Sequence, residues 1–453
     1  MFDGVFNHAS SKSGWFQRFL NGEPGYRDFF VAFSTREALS PDYLRLILRP
    51  RTSDLLTLFH GLEGPRYVWT TFGPDQVDLN FRNERVLLRI VEILLLYVRR
   101  GASLIRLDAI TYVWRSLGTS CALLEETHVL VQLFRTILDI VSPRVALITE
   151  TNVPHEENVR YLGDGINEAQ LVYNFALPPL VLHTFQTGSS RRLTEWARSL
   201  PFVSRHATYF NFLASHDGIG LLGARGILTD QEIDDMVRRT EMNGGLVSYR
   251  SNGDGSSSPY ELNVTWWSAL NPEGTADSHE TQVARLLAAR AVALSLMGVP
   301  GVYFPTLFGA KNDLEAVTAG AEKRAINRKT IDEPTLRAQL ADAGSHSSIV
   351  ARGFTRLLRT RISQPAFHPN ARQHVLDLGD HVFGVLRQPE TGPPLLAVIN
   401  VTDRPLMREL RPGRVTTRGR WRDALSERTY PADPEGRLDV ELKPYGVRWL
   451  IPD

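Results

Sequence analysis

Arg106 and Asp108 stand two residues apart in SLIRLDAI. On a strand that spacing points both side chains to the same face. An arginine beside an aspartate on a closed face keeps the carboxylate ionised through charge-assisted hydrogen bonds. Such an aspartate suits nucleophilic attack rather than proton donation, although a structural ion pair at a strand end fits the same spacing. Glu150 closes the next apolar run, VALITETN. A carboxyl against an apolar wall and near another carboxylate favours its protonated form and can serve as a general acid, whereas a helix N-terminal glutamate is the plainer reading. Asp217 lies between His216 and Gly218 in FLASHDG, where an Asx turn is the alternative. The chain opens on MFDGVFNHAS, an apolar strand that ends on Asn7 and His8. Asp, Glu and Asp in that order, each at a strand end, suit glycoside chemistry with two carboxylates and an oxocarbenium-like transition state. A third carboxylate can hold substrate hydroxyls, and His8 and His216 can donate to them.

Something must bring those strand ends together. Short apolar strands are expected at 2–6, 103–107, 145–149, 170–174, 208–213 and 301–304, with amphipathic helices at 84–99, 125–140, 190–199 and 278–296. Repeated βα units argue for a parallel sheet with helices outside. Polar residues recurring at strand ends favour a (β/α)₈ barrel, whose active sites are built on one face. A doubly wound sheet would want an early Gly-rich phosphate turn, and none is present. Residues 1–8 and 83–365 would form the barrel. The aromatic, Pro-rich stretch 9–82 is expected to be an inserted subdomain, and the Gly- and Ser-rich 218–270 one or two mobile loops. From about 370 to 453 the texture becomes short strands and turns, an antiparallel all-β domain.

At 453 residues, 43% apolar, 22% charged and a net charge of +1, the composition is that of a multidomain globular protein. It gives no electrostatic case for nucleic acid or an anionic membrane. A single cysteine, Cys121, excludes an internal disulfide framework and suits a reducing compartment. No apolar run reaches the roughly 20 residues of a membrane span, and the first residues do not read as a signal peptide, so the cytoplasm is the default expectation.

DGVFNH, SLIRLDAI, ALITETN and LASHDG resemble, in order, the four signature regions of the α-amylase family of glycoside hydrolases and transglycosidases. The resemblance implies Asp108 as nucleophile, Glu150 as acid/base and Asp217 as transition-state stabiliser. It also implies His8, Arg106 and His216 as ligands of the glucosyl ring, with retention of anomeric configuration. YNFALPPLVLH, RSLGTSC, SHDGIG, YELN, GVPGVYF, GAKND and INR look like segments of the sucrose phosphorylase group, over nearly the whole chain. In that group a glucosyl unit passes between a small α-glucoside and phosphate, and Arg328 in AINR resembles the arginine of its closed donor pocket.

Where sucrose phosphorylases carry Gln, this chain has Glu261 in PYELN, which looks more like the glucosylglycerate phosphorylases of the group. A glycerate carboxylate would want a cation; Arg250 in the 218–270 segment is the candidate, with Tyr260 beside Glu261 and Lys311 behind, though Arg250 also reads as a solvated loop charge. Sucrose, glucosylglycerol and sucrose 6′-phosphate are the other donors to weigh. A hydrolase or amylosucrase-like enzyme would use the same three carboxylates. Asn7 raises the question of calcium, which many amylases bind there; the expectation is no metal and no cofactor, with inorganic phosphate as co-substrate and a homodimer implied by resemblance alone. Relatives have two further βα units before the DGVFNH strand. The expected fold is therefore a barrel lacking its first two βα units, and an open barrel exposing apolar surface predicts poor solubility or an inactive fragment.

Overall fold

The computed structural model describes residues 1–411 and 419–453; residues 412–418, inside the expected 370–453 β domain, lie outside the described residues. The described chain divides into two compact units. The first comprises Met1–Tyr173, Val203–Ala207 and Tyr249–Tyr260, and the second Asn174–Phe202, Thr208–Ser248 and Glu261–Asp453.

In the first unit four strands run parallel: β1 (Phe2–Val5), β2 (Leu104–Asp108), β3 (Ala146–Thr149) and β4 (Leu171–Tyr173). Their interior residues Ile105, Leu107, Leu147, Ile148 and Val172 are fully buried, the pattern of a parallel sheet covered on both faces. Helix α1 (Glu84–Arg99) starts where Asn83 accepts a hydrogen bond from the Arg85 N–H, and it buries Val86, Ile90 and Leu94 on one stripe. Helix α2 (Glu125–Val141) buries Leu130, Val131, Phe134 and Leu138. Gly4 is required by close approach, since a Cβ there would stand 2.9 Å from the Phe6 ring and 3.1 Å from the Arg106 carbonyl.

The 9–82 excursion is built from small antiparallel pieces. His8–Ser10 pairs with Gln76–Asp78, and Leu56–Gly61 forms a hairpin with Gly64–Trp69. The rings of Phe16, Phe19, Phe30 and Phe59 pack at centroid distances of 4.8–5.5 Å, which explains the aromatic content of the stretch.

In the second unit β5 (Thr208–Asn211) pairs in parallel with β6 (Val299–Pro300). The strand expected at 301–304 is displaced, because Pro300 closes β6 and Pro305 opens a 3₁₀ turn over Phe304–Phe308. Helix α3 (Leu177–Thr187) is buried over most of its length and ends on Gly188 in the left-handed conformation. Helix α4 (Arg191–Ser199) follows.

The 218–270 stretch carries more regular structure than Gly and Ser content suggested: helix α5 (Asp230–Met242), strands Leu246–Ser251 and Ser257–Asn263, and the turn of helix Trp266–Leu270. A capping box between Thr229 and Glu232, followed by buried Ile233, Met236, Val237 and Thr240, sets α5. Helix α6 (His279–Ser295) is N-capped by Ser278 and buried on nearly every side after Val283.

Beyond Arg372 the second unit is antiparallel. Arg372–Asp377, Val382–Gln388, Leu395–Asn400, Val447–Pro452, Arg420–Asp423 and Thr429–Pro431 hydrogen-bond in that order, and Leu406–Leu410 pairs with Leu438–Leu442. Leu396, Val398, Leu438, Val440 and Leu450 are fully buried between them. No helix among the described residues is long and apolar enough to cross a membrane.

Candidate active site

Register places the carboxylates of the first unit. Val5 lies opposite Asp108, and Leu107 opposite Thr149, so Glu150, one step past β3, comes level with Asp108. The Glu150 N–H donates to the Leu107 carbonyl at 3.1 Å. Immediately after Asp108 the chain turns through Ala109 at φ 48°, a left-handed conformation costly for a residue with a Cβ. The turn aims the Ala109 N–H at Glu150 Oε2, 3.1 Å away.

Arg106 lies between these groups, its side chain 6% exposed. Nη1 donates to Asp108 Oδ1 at 2.6 Å and to Asp3 Oδ1 at 2.8 Å, while Nη2 lies 3.8 Å from Glu150 Oε2. The guanidinium also sits 5.6 Å from the centroid of the Tyr173 ring. Burial opposes its charge more than any one partner favours it, but Glu150, Asp108, Tyr173 and Asp3 together raise its pKa above the ordinary arginine value. Two carboxylates, one hydrogen-bonded to a fixed cation and one receiving a backbone N–H, thus share a half-closed strand end.

Asn7 and His8 follow β1, where the chain enters the first unit's excursion. His8 Nε2 is 2.9 Å from Gln76 Nε2, Nδ1 is 3.3 Å from Asn7 Nδ2, and the ring packs on Phe72 at 5.5 Å. Burial lowers the His8 pKa against the opposing pull of Asp78 and Asp108. Asn7 Oδ1 accepts from Arg115 Nη2 at 2.7 Å, and Arg115 ion-pairs with the fully buried Asp78. The oxygen considered for a metal is therefore engaged by a guanidinium.

Tyr260 and Arg250, from the 218–270 segment, also belong to the first unit. Arg250 Nε donates to Ser258 Oγ at 3.1 Å. Arg51, which the sequence reading passed over, lies over both Tyr260 and Phe72, at 5.6 and 5.9 Å from the ring centroids. Phe72 in turn meets Tyr112 edge-on at 5.5 Å. Burial pushes the Tyr112 hydroxyl pKa well up, Tyr260 and Glu150 add to the rise, and Arg51 and Arg250 oppose it. Two arginines, Tyr260 and Glu150 thus all act on the buried Tyr112 hydroxyl. The available signal for Arg51 was the RPR tripeptide 49–51, which resembles any loop charge when read alone.

In the second unit Asp217 Oδ1 is approached by Arg324, with which it ion-pairs, by Arg328 Nη2 at 3.5 Å and by His216 Nε2 at 3.6 Å. Arg328 Nε donates to the His216 carbonyl at 2.6 Å, and Asn327 Nδ2 to the Asp217 carbonyl at 2.9 Å. Glu261 is buried, with Oε1 accepting from Arg324 Nε at 2.9 Å and from the Gly218 N–H at 2.9 Å, and Oε2 from Arg324 Nη2 at 2.6 Å. Its carboxylate is thus engaged by protein groups. Arg324 was absent from the sequence reading, and Lys311 is exposed in this unit, not in that of Arg250.

Comparison with known proteins matches residues 1–222 to the α-amylase catalytic domain. A glucosylglycerate phosphorylase from Allomeiothermus silvanus is 43% identical over 451 residues, covering 100% of this chain and 77% of that protein. The chain belongs to the α-amylase family. A glucosylglycerate phosphorylase from Escherichia coli is 40% identical, covering 99% of this chain and 78% of its own length. A sucrose phosphorylase from Agrobacterium vitis is 29% identical, covering 84% and 76%. The crystal structure of a sucrose 6F-phosphate phosphorylase from Thermoanaerobacter thermosaccharolyticum shares the fold, with a TM-score of 0.75 at 24% identity over 97% of this chain and 82% of that one. The homologues of this α-amylase family member are glycoside phosphorylases.

Proposed function

We propose that the protein is a retaining glycoside phosphorylase that moves a glucosyl unit from 2-O-α-D-glucosylglycerate to inorganic phosphate, giving α-D-glucose 1-phosphate. The observation that carries the reading is the Arg106 guanidinium held against Asp108 and within reach of Glu150. Asp108 attacks the anomeric carbon while Glu150 gives its proton to the departing glycerate oxygen, so the glycosidic bond breaks as a β-glucosyl ester forms. Phosphate then attacks the same carbon, Glu150 takes the proton from the incoming phosphate oxygen, and Asp108 leaves as carboxylate. Two inversions retain the α configuration.

Asp217 stabilises the oxocarbenium-like charge, and His8, His216, Arg106 and Arg328 hold the sugar. Water is the competing acceptor, and an anion site that fills before water enters favours phosphorolysis. Arg51 and Arg250, standing with Tyr260 and Tyr112, supply positive charge for a phosphate or a glycerate carboxylate. The identities of 40–43% to glucosylglycerate phosphorylases, against 27–30% to sucrose phosphorylases, support the glycerate reading. No metal enters the scheme, and the engagement of Asn7 by Arg115 supports that. The test is phosphorolysis of 2-O-α-D-glucosylglycerate against sucrose under equal phosphate. Preference for the glycerate glucoside is expected; preference for sucrose overturns the assignment.

A further inference from the structure

We propose that Glu261 and Arg324 act as a positioning pair for Asp217 and serve every glucosyl transfer, whatever the acceptor. This deepens the phosphorylase reading and rests on it for the role of Asp217. Glu261 takes two parallel hydrogen bonds from Arg324, through Nε at 2.9 Å and Nη2 at 2.6 Å. That fork fixes the guanidinium plane and leaves Nη1 facing Asp217 Oδ1. The same Glu261 carboxylate accepts the N–H of Gly218, the residue after Asp217, at 2.9 Å. Glu261 therefore holds Asp217 twice, once through the Arg324 side chain and once through the backbone.

Charge gives the arrangement a second consequence. Asp217 Oδ1 faces two guanidiniums and the His216 ring. Unbalanced, two full positive charges would oppose the positive charge that grows on the sugar ring in the transition state. Glu261 compensates Arg324, so Asp217 keeps a negative charge to offer. The chain leaves no room for slack: a Cβ on Gly218 would stand 2.8 Å from Glu261 Oε1 and 2.5 Å from the Leu262 carbonyl. With its oxygens taken by protein donors, Glu261 is matched to Asp217 rather than to a glycerate hydroxyl.

The experiment compares wild type, Glu261→Gln, Arg324→Lys and Arg324→Met on two donors, α-D-glucosyl fluoride and 2-O-α-D-glucosylglycerate, each with phosphate. Glu261→Gln keeps the shape and the Gly218 acceptor but removes the compensating charge. It is expected to lower kcat at least tenfold on both donors, by the same factor within threefold, with the KM for phosphate within twofold of wild type. Arg324→Lys should retain more activity than Arg324→Met, and a variant combining Glu261→Gln with Arg324→Met should be no worse than the poorer single one, as expected for groups acting as a unit. A loss confined to glucosylglycerate, or unchanged kcat on both donors, overturns the proposal. Thermal melting of each variant separates unfolding from lost positioning, and if Arg324→Met unfolds, the Glu261→Gln and Arg324→Lys pair carries the result. Wild type that turns over the fluoride but not glucosylglycerate contradicts the acceptor assignment and leaves the positioning test intact.

Discussion

Replacing Arg106 by methionine removes the positive charge between the two strand-end carboxylates while keeping most of the side chain's length. Asp108 Oδ1 is 2.6 Å and Glu150 Oε2 3.8 Å from that guanidinium. At an effective dielectric of ~20, each attraction is about 6 and about 4 kcal/mol before desolvation is subtracted. Asp3, half-exposed, adds at most ~1 kcal/mol. Much of the sum is offset by the burial of Arg106, and breaking one partner out of a buried pair costs roughly 3–5 kcal/mol overall. The account therefore predicts a loss of stability of about 3 kcal/mol and, with the same energy withdrawn from the transition state, a fall in kcat/KM of about 10², since each 1.36 kcal/mol is tenfold. Arg106→Lys should fall between, because one ammonium cannot hold Asp3, Asp108 and Glu150 from two nitrogens at once. The assay is phosphate-dependent glucose 1-phosphate release across pH, with thermal melting in parallel. A variant with kcat/KM within fivefold of wild type would refute the reasoning.

Gly218→Ala places a methyl against the Leu262 carbonyl and the Glu261 carboxylate, and should cost about 1–3 kcal/mol in denaturant unfolding; an unchanged midpoint would show that the close approach relaxes freely. Trp449→Phe loses the indole N–H bond to Ser295 Oγ at 3.1 Å and leaves a void in a fully buried site, so the unfolding free energy should drop by about 1–3 kcal/mol, read as a lower urea midpoint at unchanged slope. Burial holds the His155 pKa down to about 4, below its ordinary 6.5. The unfolded chain takes up that proton first, so the stability of the neutral imidazole is complete above pH ~6.5 and is lost as pH falls toward ~4, by up to about 3 kcal/mol. His155→Gln should flatten melting temperature across that window, and an identical pH slope would exclude the residue.

The strand ends were legible in the sequence because a parallel sheet leaves two unmistakable marks, an all-apolar run and a polar residue where it stops. Arg106, Asp108 and Glu150 carry both marks. Asp217 could be read from its tripeptide, but Arg324 could not, since its partner Glu261 is 63 residues away and only the fold brings them together. The helix Asp230–Met242 was hidden by the Gly- and Ser-rich residues around it, although its Thr229–Glu232 capping box was present. Pro300 and Pro305 moved the last parallel strand upstream of the apolar residues that suggested it. Arg51 was missed for a different reason. Its only distinction is the rings of Phe72 and Tyr260 beneath it, which lie far off in the chain.

The central claim is that a glucosyl unit waits on Asp108 for phosphate. Proton NMR of the reaction with 2-O-α-D-glucosylglycerate, with and without phosphate, tests it most directly. The account predicts α-D-glucose 1-phosphate as the first sugar product, formed in proportion to added phosphate and absent in Asp108→Asn. Glucose released at the same rate without phosphate, or a β-configured phosphate ester, would contradict it.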